Sequence, residues 1–517
     1  VNQLGKPRAL SEMWGAGGWD STIEDYKRIG DWALAHGVNF FNPHLSYVTV
    51  RGARKRDHPQ SFSDHSAWWS EIKGLNDRIG RLSFILSQGR MENRVLILQP
   101  TTSAFLFAKL DKEANDAFER MREEHGTLVQ TLCDSQIDFD LGDEYILEQY
   151  GRAEKGRLVV GKGKYDVVVI PSSMTNMRHQ TVSLLRKYLK SGGLVYALAS
   201  PPRWVDGRAS GLAAELQREY RSGWRKVESM KRLLHALRRQ VPPYVTFASA
   251  VPSNFSHHMR GLDDGSTIHF FFNGSSKAVR TDIRLKAKGL ETWNPDTGGV
   301  QPVHFVHKGT DHVLTSLQLN PTESVLFRTL PSENASVQFR QFPRRKLERA
   351  LRTGPTRITP GSLNVLVLDY CDVKYLGKEE RGINTWRANW NIWQAHGFER
   401  PAWDSAVQFR TRILDRNQFG PETGFEAVFR FDVGKDADLS SLEVAIECPE
   451  FYQVLVNNKK IDFRKAARWI DPHLRSVSIA RMVKRGRNEV RIVGHPFDVR
   501  MELENIYIRG NFSLEAA

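Results

Sequence analysis

Cysteine is scarce. The 517 residues hold three, Cys133, Cys371 and Cys448, odd in number, far apart and without metal-ligand spacing. That excludes a disulfide framework and predicts buried free thiols, leaving the compartment open. No run of about 18 apolar residues occurs, so no spanning helix and no membrane insertion is expected. The first residues, Val1 to Gly5, lack a basic n-region and an apolar h-region, so no signal peptide is visible. The chain opens on Val rather than Met, which either processing or an upstream segment would explain. A glycine-rich strand-to-helix turn is also missing. Gly161-Lys162-Gly163 is a lone G-x-G that precedes a strand, whereas the dinucleotide fingerprint follows one, and no nucleotide is expected to bind. There is no G-x-S-x-G elbow, and the histidines, His257-His258 included, lack zinc spacing. No strict internal repeat is seen.

What is present describes a multidomain globular chain. At about 150 residues per domain, 517 residues make roughly three or four domains. Hydrophobic residues are 40% and charged residues 26%, enough for several cores. The formal net charge is +15 and the pI near 9.6, which keeps a polyanion-binding class open. Lys and Arg are spread along the chain, however, with the densest clusters at Arg51–Arg56 and at Arg344-Arg345-Lys346 with Arg349. Neither lies beside a nucleic-acid motif, and no nucleic-acid partner is expected.

Periodicity divides the chain. Arg8-Ala9-Leu10 runs into Ser11-Glu12 as a short strand. Ser21-Thr22-Ile23-Glu24 suggests a capping box with Ser21 as N-cap, opening a helix that stops near Gly37. Val38 to Asn42 is a second strand, and a helix from about Trp69 to Gln88 follows a loop rich in Arg, His and Ser. These are two β/α units. A closed (β/α)8 barrel needs eight, so they are expected to be the last two of eight, with the others outside this chain. From Asn93 apolar strands at 94–98, 138–141, 165–171 and 194–198 alternate with helices, which implies a parallel sheet closed by a basic amphipathic helical stretch over 211–240. After Pro242-Pro243 short strands with turns such as Asn273-Gly274 continue to Leu330-Pro331. A basic connector leads to a second all-β region from Leu363, and such spacing argues for sandwiches or jelly rolls.

Glu12 is the first candidate for chemistry. It stands where a strand gives way to the glycine-rich loop Gly15-Ala16-Gly17-Gly18, between the expected active face of a barrel and two tryptophans, Trp14 and Trp19. Indole faces pack on the apolar faces of pyranose rings, while a carboxylate acts as base or nucleophile. The alternative is a carboxylate that caps a loop or pairs with an arginine. The second strand ends in Asn42-Pro43-His44-Leu45-Ser46-Tyr47, which puts His44 and Tyr47 on the same expected face as hydroxyl partners, unless His44 is structural. Arg54, Asp57 and His58 follow in a basic loop. That run either contacts an acidic sugar or braces Asp57 and nearby carboxylates, and bracing is favoured.

Ser11-Glu12-Met13-Trp14-Gly15, Gly30-Asp31-Trp32, Gly37-Val38-Asn39, Asn42-Pro43-His44-Leu45-Ser46, Arg54-Lys55-Arg56-Asp57-His58-Pro59-Gln60-Ser61-Phe62 and Leu86-Ser87-Gln88-Gly89 together resemble glycoside hydrolase family 106, the α-L-rhamnosidase family. The resemblance is dense over residues 1–100, fair to about 330 and architectural beyond. The tail, with Val456-Asn457-Asn458-Lys459 and Val483 to Val490, is similar to galactose-binding-type sandwiches. It implies a multidomain α/β plus all-β fold: the end of a TIM-type catalytic barrel over 1–91, a flavodoxin-like domain over 92–242, a β-sandwich over 243–331, a connector over 332–359 and a galactose-binding-like sandwich over 360–517. It further implies inverting hydrolysis of a carbohydrate substrate by two glutamates, with calcium-assisted sugar binding through unassigned ligands. Glu12 maps to the general base, while Trp14, His44, Tyr47, Arg54, Asp57 and His58 are candidates for substrate binding on the local pattern alone. The family's general acid lies upstream of the Ser-Glu motif and has no counterpart here, so the isolated chain is expected to be inactive. The resemblance also implies a periplasmic or secreted enzyme. The other readings are a non-catalytic carbohydrate-binding or structural protein built of the accessory modules and, third, a polyanion binder.

Overall fold

The structure, a computed structural model, describes residues 1–108, 112–332, 354, 361–401 and 410–515, with backbone alone at 112–115. Most of the expected 332–359 connector and the cluster Arg344-Arg345-Lys346 lie outside the described residues. The chain is a mixed α/β protein with many β-sheets, and it forms two compact units. The first comprises residues 1–13, 22–42 and 71–345, and the second residues 14–21, 43–70 and 346–517.

The first unit opens with β1 (Leu10–Met13), α1 (Ile23–Ala35), β2 (Phe40–Pro43, of which Pro43 falls in the second unit) and α2 (Ile72–Ile85), the two strands forming a small sheet. The capping box of α1 sits one residue later than the Ser21/Glu24 pair expected. Thr22 is the N-cap, accepting from the Asp25 N–H at 3.2 Å, and the Asp25 carboxylate accepts from the Thr22 N–H at 3.0 Å. Both pairs fit the same spacing, and Asp25 serves at N3 as well as Glu would. Asn39, buried, ties the unit together. Its amide donates to the carbonyls of Pro7 and Leu86, both at 3.0 Å, and its oxygen accepts from the Ala9 N–H at 2.8 Å.

Five parallel strands follow: β3 (Val95–Leu98), β4 (Phe139–Gly142), β5 (Val167–Ile170), β6 (Leu194–Ala197) and β7 (Trp224–Lys226). In space the order is β4-β3-β5-β6-β7, the 2-1-3-4-5 arrangement of flavodoxin-type sheets. β3, β5 and β6 are buried at every residue, as apolar runs covered on both faces must be. Leu185, Tyr188 and Leu216 cover one face, and Leu128, Leu132, Leu233 and Leu237 the other. The stretch over 211–240, expected to be helical throughout, is not. It is two helices, Leu212–Glu219 and Met230–Gln240, with β7 between them. Trp224 fills the core while Arg225 and Lys226 face solvent, and this edge strand is too short and too basic to show an apolar run. Gly161-Lys162-Gly163 turns a hairpin between Arg157–Val160 and Gly163–Tyr165, with Gly161 at φ 55°.

Two antiparallel sheets complete the unit. Val245–Phe247, Val279–Lys286, His312–Leu319 and Val306–His307 make one. Phe255–Gly261, Thr267–Asn273, Ser324–Leu330, Gly289–Trp293 and Val300–Pro302 make the other. Phe255, Phe271 and Phe327 of the second sheet share a core with Ile283, Val313 and Leu317 of the first. His258 and His269 are buried, and burial pushes each down to about 3, so both are neutral. In the second unit, sheets built around Phe425–Val433 and around Glu443–Glu447 likewise share one core, which holds Phe429, Val444, Val490 and Ile508. Cys371 and Cys448 are buried free thiols and Cys133 is half-buried and free. Burial pushes them up to about 12, 12 and 11 respectively.

A buried ionic cluster joins the helices of the first unit to its β-sheet. Asp31, fully buried, accepts from Arg78 at 3.1 Å, Lys27 at 3.0 Å and the Ser324 hydroxyl at 2.8 Å. Arg78 also donates to Asp296 at 2.8 Å and Ser324 at 2.7 Å. Removing one partner strands the other without water. Asp31→Ala is therefore expected to destabilise this unit by about 3–5 kcal/mol in urea unfolding. A loss under about 1 kcal/mol would show that Arg78 is solvated or satisfied elsewhere.

Candidate functional site

Glu12 is the third residue of β1, exposed, with the buried Met13 after it. The loop that then begins, 14–21, belongs to the second unit together with the loop 43–70. These two loops hold one another. The Gln60 amide donates to the Trp14 carbonyl at 2.6 Å, the Gly18 N–H to Pro59 at 2.9 Å and the Trp68 indole to Ser21 at 3.1 Å. A Cβ on Gly15 would come within 2.7 Å of the His44 ring, so the glycine is what lets the two loops meet. Trp14, Ala16 and His58 all take left-handed φ values of 50–66°, which non-glycine residues adopt at a cost and which cluster at functional sites.

His44, Asp57 and His58 come together, with Tyr47 beside them. His44 and His58 stack with ring centroids 6.0 Å apart, and His58 meets Asp57 at 2.9 Å. Burial first, and the nearby Asp57 second, push the Tyr47 phenol up, so it stays a neutral hydroxyl. Trp14 does not offer the open stacking face expected of it. It is buried, packed on Phe62 at 5.8 Å. The exposed indole of this loop is Trp19, whose ring nitrogen donates to the Lys55 carbonyl at 2.7 Å.

The basic run does brace, but against partners no local reading could supply. Lys55 meets Glu447 at 2.5 Å and Glu504 at 3.1 Å, Arg56 meets Glu504 through both terminal nitrogens at 2.7 and 2.8 Å, and Arg51 meets Glu502 at 3.4 Å. Arg54 donates to the Arg51 carbonyl at 2.9 Å and lies 3.6 Å from Glu502. The three glutamate side chains are 5–7% exposed, a depth at which an unmatched carboxylate would not stay ionised. Burial works against the Lys55 ammonium, but Glu447 and Glu504 outweigh it and hold the ammonium above its ordinary value. Glu447 also accepts from the Gly52 N–H at 2.8 Å. Gly52 sits at φ 58°, and a Cβ there would fall 1.9 Å from a Glu502 oxygen.

Asp471 is a second anchor. Its carboxylate accepts from the N–H groups of Val50 at 2.9 Å and His473 at 2.8 Å, from Thr49 at 3.0 Å and from His65 at 3.0 Å. Burial alone would raise it, but these donors prevail and hold it below the ordinary aspartate range. Among the described residues no group of three or more His, Cys, Asp or Glu is arranged to hold a metal ion, so no calcium ligands can be named. No described helix is long and apolar enough to cross a membrane.

The chain matches the model of glycoside hydrolase family 106, described as alpha-L-rhamnosidase, over residues 4–307 of its 517, and it belongs to that family. A protein of Formosa agariphila named "Putative beta-glucuronidase" is 25% identical over 346 residues, which are 65% of this chain and 27% of that protein. The solved rhamnosidase of Novosphingobium sp. PP1Y aligns over 97% of this chain and 48% of its own, at 16% identity and a TM-score of 0.49. A beta-galactosidase from Bacillus circulans sp. alkalophilus aligns over 59% of this chain and 52% of its own, at 12% identity and a TM-score of 0.42. The chain thus spans about a quarter of the curated relative and about half of the solved rhamnosidase.

Two outcomes test the anchors. Gly52→Ala is expected to free the 43–70 loop, read as faster amide exchange and proteolysis within it while the 94–240 region keeps its protection. Unchanged protection of the loop would remove Gly52 from this role. Asp471 has a lowered folded value, so its stabilisation is present above about pH 4 and is lost as pH falls through that lowered value. The stability gap between wild type and Asp471→Asn should therefore be constant from about pH 7 to 5 and narrow below about pH 4. A gap that widens on acidification would contradict the assignment.

Proposed function

We propose that this chain is the C-terminal part of an inverting α-L-rhamnosidase that acts on rhamnose-containing glycans or glycosides. Family membership over residues 4–307 carries the reading, and the exposed Glu12 of β1 gives it a chemical centre. β1–α1–β2–α2 are read as the last two units of a TIM-type barrel, whose active face lies at the C-terminal ends of its strands. The paired antiparallel sheets of each unit are read as sandwich modules, the last of galactose-binding type. Glu12 is assigned as the general base that activates water. His44, Tyr47, Asp57 and His58 are assigned to sugar hydroxyls, and Arg54 to bracing them. An inverting site sets two carboxyl groups about 6.5–9.5 Å apart, one to protonate the leaving oxygen and one to activate water. The reading places the acid in barrel units outside this chain. Calcium assistance stays an expectation of the family without assigned ligands here, and export to the periplasm or beyond is proposed on the same ground.

General acid and base each contribute roughly two to four decades of rate. In the complete enzyme, Glu12→Gln should lower turnover of an aryl α-L-rhamnoside by at least about 100-fold and leave ligand affinity nearly intact, since only the proton acceptor is lost. The isolated 517 residues should show no more than trace turnover. Full activity of the complete Glu12→Gln enzyme would sink the assignment of the base. Robust hydrolysis by this chain alone would sink the placement of the acid elsewhere.

A further inference from the structure

Within the first unit a cavity of about 540 Å³ lies between residues 134–138 and residues 241–251. None of the residues assigned to catalysis or sugar binding borders it. It sits at the N-terminal edge of the parallel strands, since its lining residues Arg94 and Asp138 immediately precede β3 and β4. Sheets of this type commonly bind ligands at the opposite, C-terminal edge, so this is not their customary crevice. Its volume falls in the range of about 300–1,000 Å³ that small-molecule sites occupy.

Two carboxylates at this edge are treated oppositely. Asp140 accepts from Asn93 at 2.8 Å, Asn2 at 2.9 Å and Tyr165 at 2.7 Å. Asp138, half-buried in the cavity wall, makes no hydrogen bond and no ion pair among the described residues. The donors around it are turned elsewhere. The Tyr244 hydroxyl donates to the Glu92 carbonyl at 3.0 Å, the Gln136 amide to the Phe255 carbonyl at 2.6 Å and Arg238 to the Ser135 carbonyl at 3.2 Å, while Arg94 is paired with Asp166. Burial first, and the charge of Asp140 second, push Asp138 up to about 7, and no cation opposes them. Glu92 and Asp134 line the same cavity and add negative charge, and the nearby Cys133 thiol is neutral. A carboxylate held out of water without a partner is costly, and one that lines a concave pocket marks a candidate binding site.

The remaining wall is apolar, with Val241, Pro243 and Val251 beside the rings of Tyr244 and Phe247. Burial above all, with Glu92 and Asp138 behind it and Arg94 opposing, pushes the Tyr244 phenol up to about 12, so its ring stays neutral. Aromatic faces beside a free carboxylate complement an ammonium group carried on a small apolar body. An anion would meet Asp138, Glu92 and Asp134 with both arginines already engaged. An uncharged ligand would leave the carboxylate without a countercharge.

We propose that this cavity binds a small organic cation, a primary ammonium on an aromatic or aliphatic body, through the Asp138 carboxylate. The site goes beyond the α-L-rhamnosidase reading and stands without it. Isothermal titration of the chain with benzylammonium, benzyl alcohol and benzoate tests it, since the three share a ring and differ in charge. Benzylammonium should bind at least about tenfold more tightly than benzyl alcohol at about pH 8, as a charge-assisted pair with Asp138 requires. The cation needs Asp138 ionised, and the carboxyl is mostly protonated below its raised value, so benzylammonium should bind about tenfold more weakly at about pH 6. Asp138→Asn keeps the shape and removes the charge. It should abolish the preference for benzylammonium, leave benzyl alcohol affinity unchanged and melt no lower than wild type, because the lost carboxylate had no partner. The site is overturned if benzylammonium does not bind at millimolar concentrations, if benzyl alcohol binds as well, if benzoate binds more tightly, or if the preference survives in Asp138→Asn.

Discussion

Glu447 ends the strand Glu443–Glu447, Glu502 and Glu504 shortly precede its neighbour Ile506–Gly510, and none of the three, buried as they are, could remain there as a carboxylate without a cation beside it. The cations come from one short stretch, Arg51 to Arg56. That exchange decides how the loop 43–70 is held. A loop that leaves a strand ordinarily folds back on its own neighbours. Here it is bound by charge, and by the backbone N–H groups of Val50, Gly52 and Ala53, to residues about 400 positions further along. Buried ion pairs add little net stability compared with an apolar contact of the same shape, but breaking one is expensive. Their effect is therefore to specify one position for the loop, and with it the placement of His44, Tyr47, Asp57 and His58.

The four carboxylates of this anchorage do not respond to acid alike. Burial raises Glu502, and it raises Glu447 despite Lys55, so protonation of either relieves a strain. In Glu504 and Asp471 burial also pulls upward, yet Lys55 and Arg56 in one case, and backbone and hydroxyl donors in the other, win and lower them. A raised carboxyl costs stability as pH climbs through its range, whereas a lowered one loses its contribution as pH falls. The two pairs thus oppose each other, and the loop's hold is broadest between them, above the titration of Asp471 and Glu504.

Long apolar runs were legible in the sequence because a strand covered on both faces has no polar alternation to confuse it; β3, β5 and β6 fall where Val, Leu and Ile are continuous. β7 was hidden by the opposite circumstance, a single inward tryptophan among arginines and lysine. The capping box was visible in kind but not in register, since Ser21-Thr22 and Glu24-Asp25 offer two equivalent pairs. Glu12 and its loop announced themselves by composition. Which tryptophan faces outward did not, because Trp14 and Trp19 flank the same glycines and only the packing of Trp14 on Phe62 separates them. The partners of Lys55 and Arg56 were beyond any local pattern: nothing near Glu447 or Glu504 marks them as buried, and the pairs span 392–449 residues of chain.

The same pairs bear on the chain's positive charge. A net charge of +15 treats every cation as available, and the densest run in the described residues is the one that would suggest a polyanion partner. Its Arg51, Lys55 and Arg56 face buried carboxylates instead, so a phosphate or sulfate group would have to displace Glu447 or Glu504 and leave that glutamate buried and unmatched. A neutral sugar makes no such demand. The charge that looked like a recognition surface is, at this place, the fastening that holds the loop 43–70 to the C-terminal strands of its own unit.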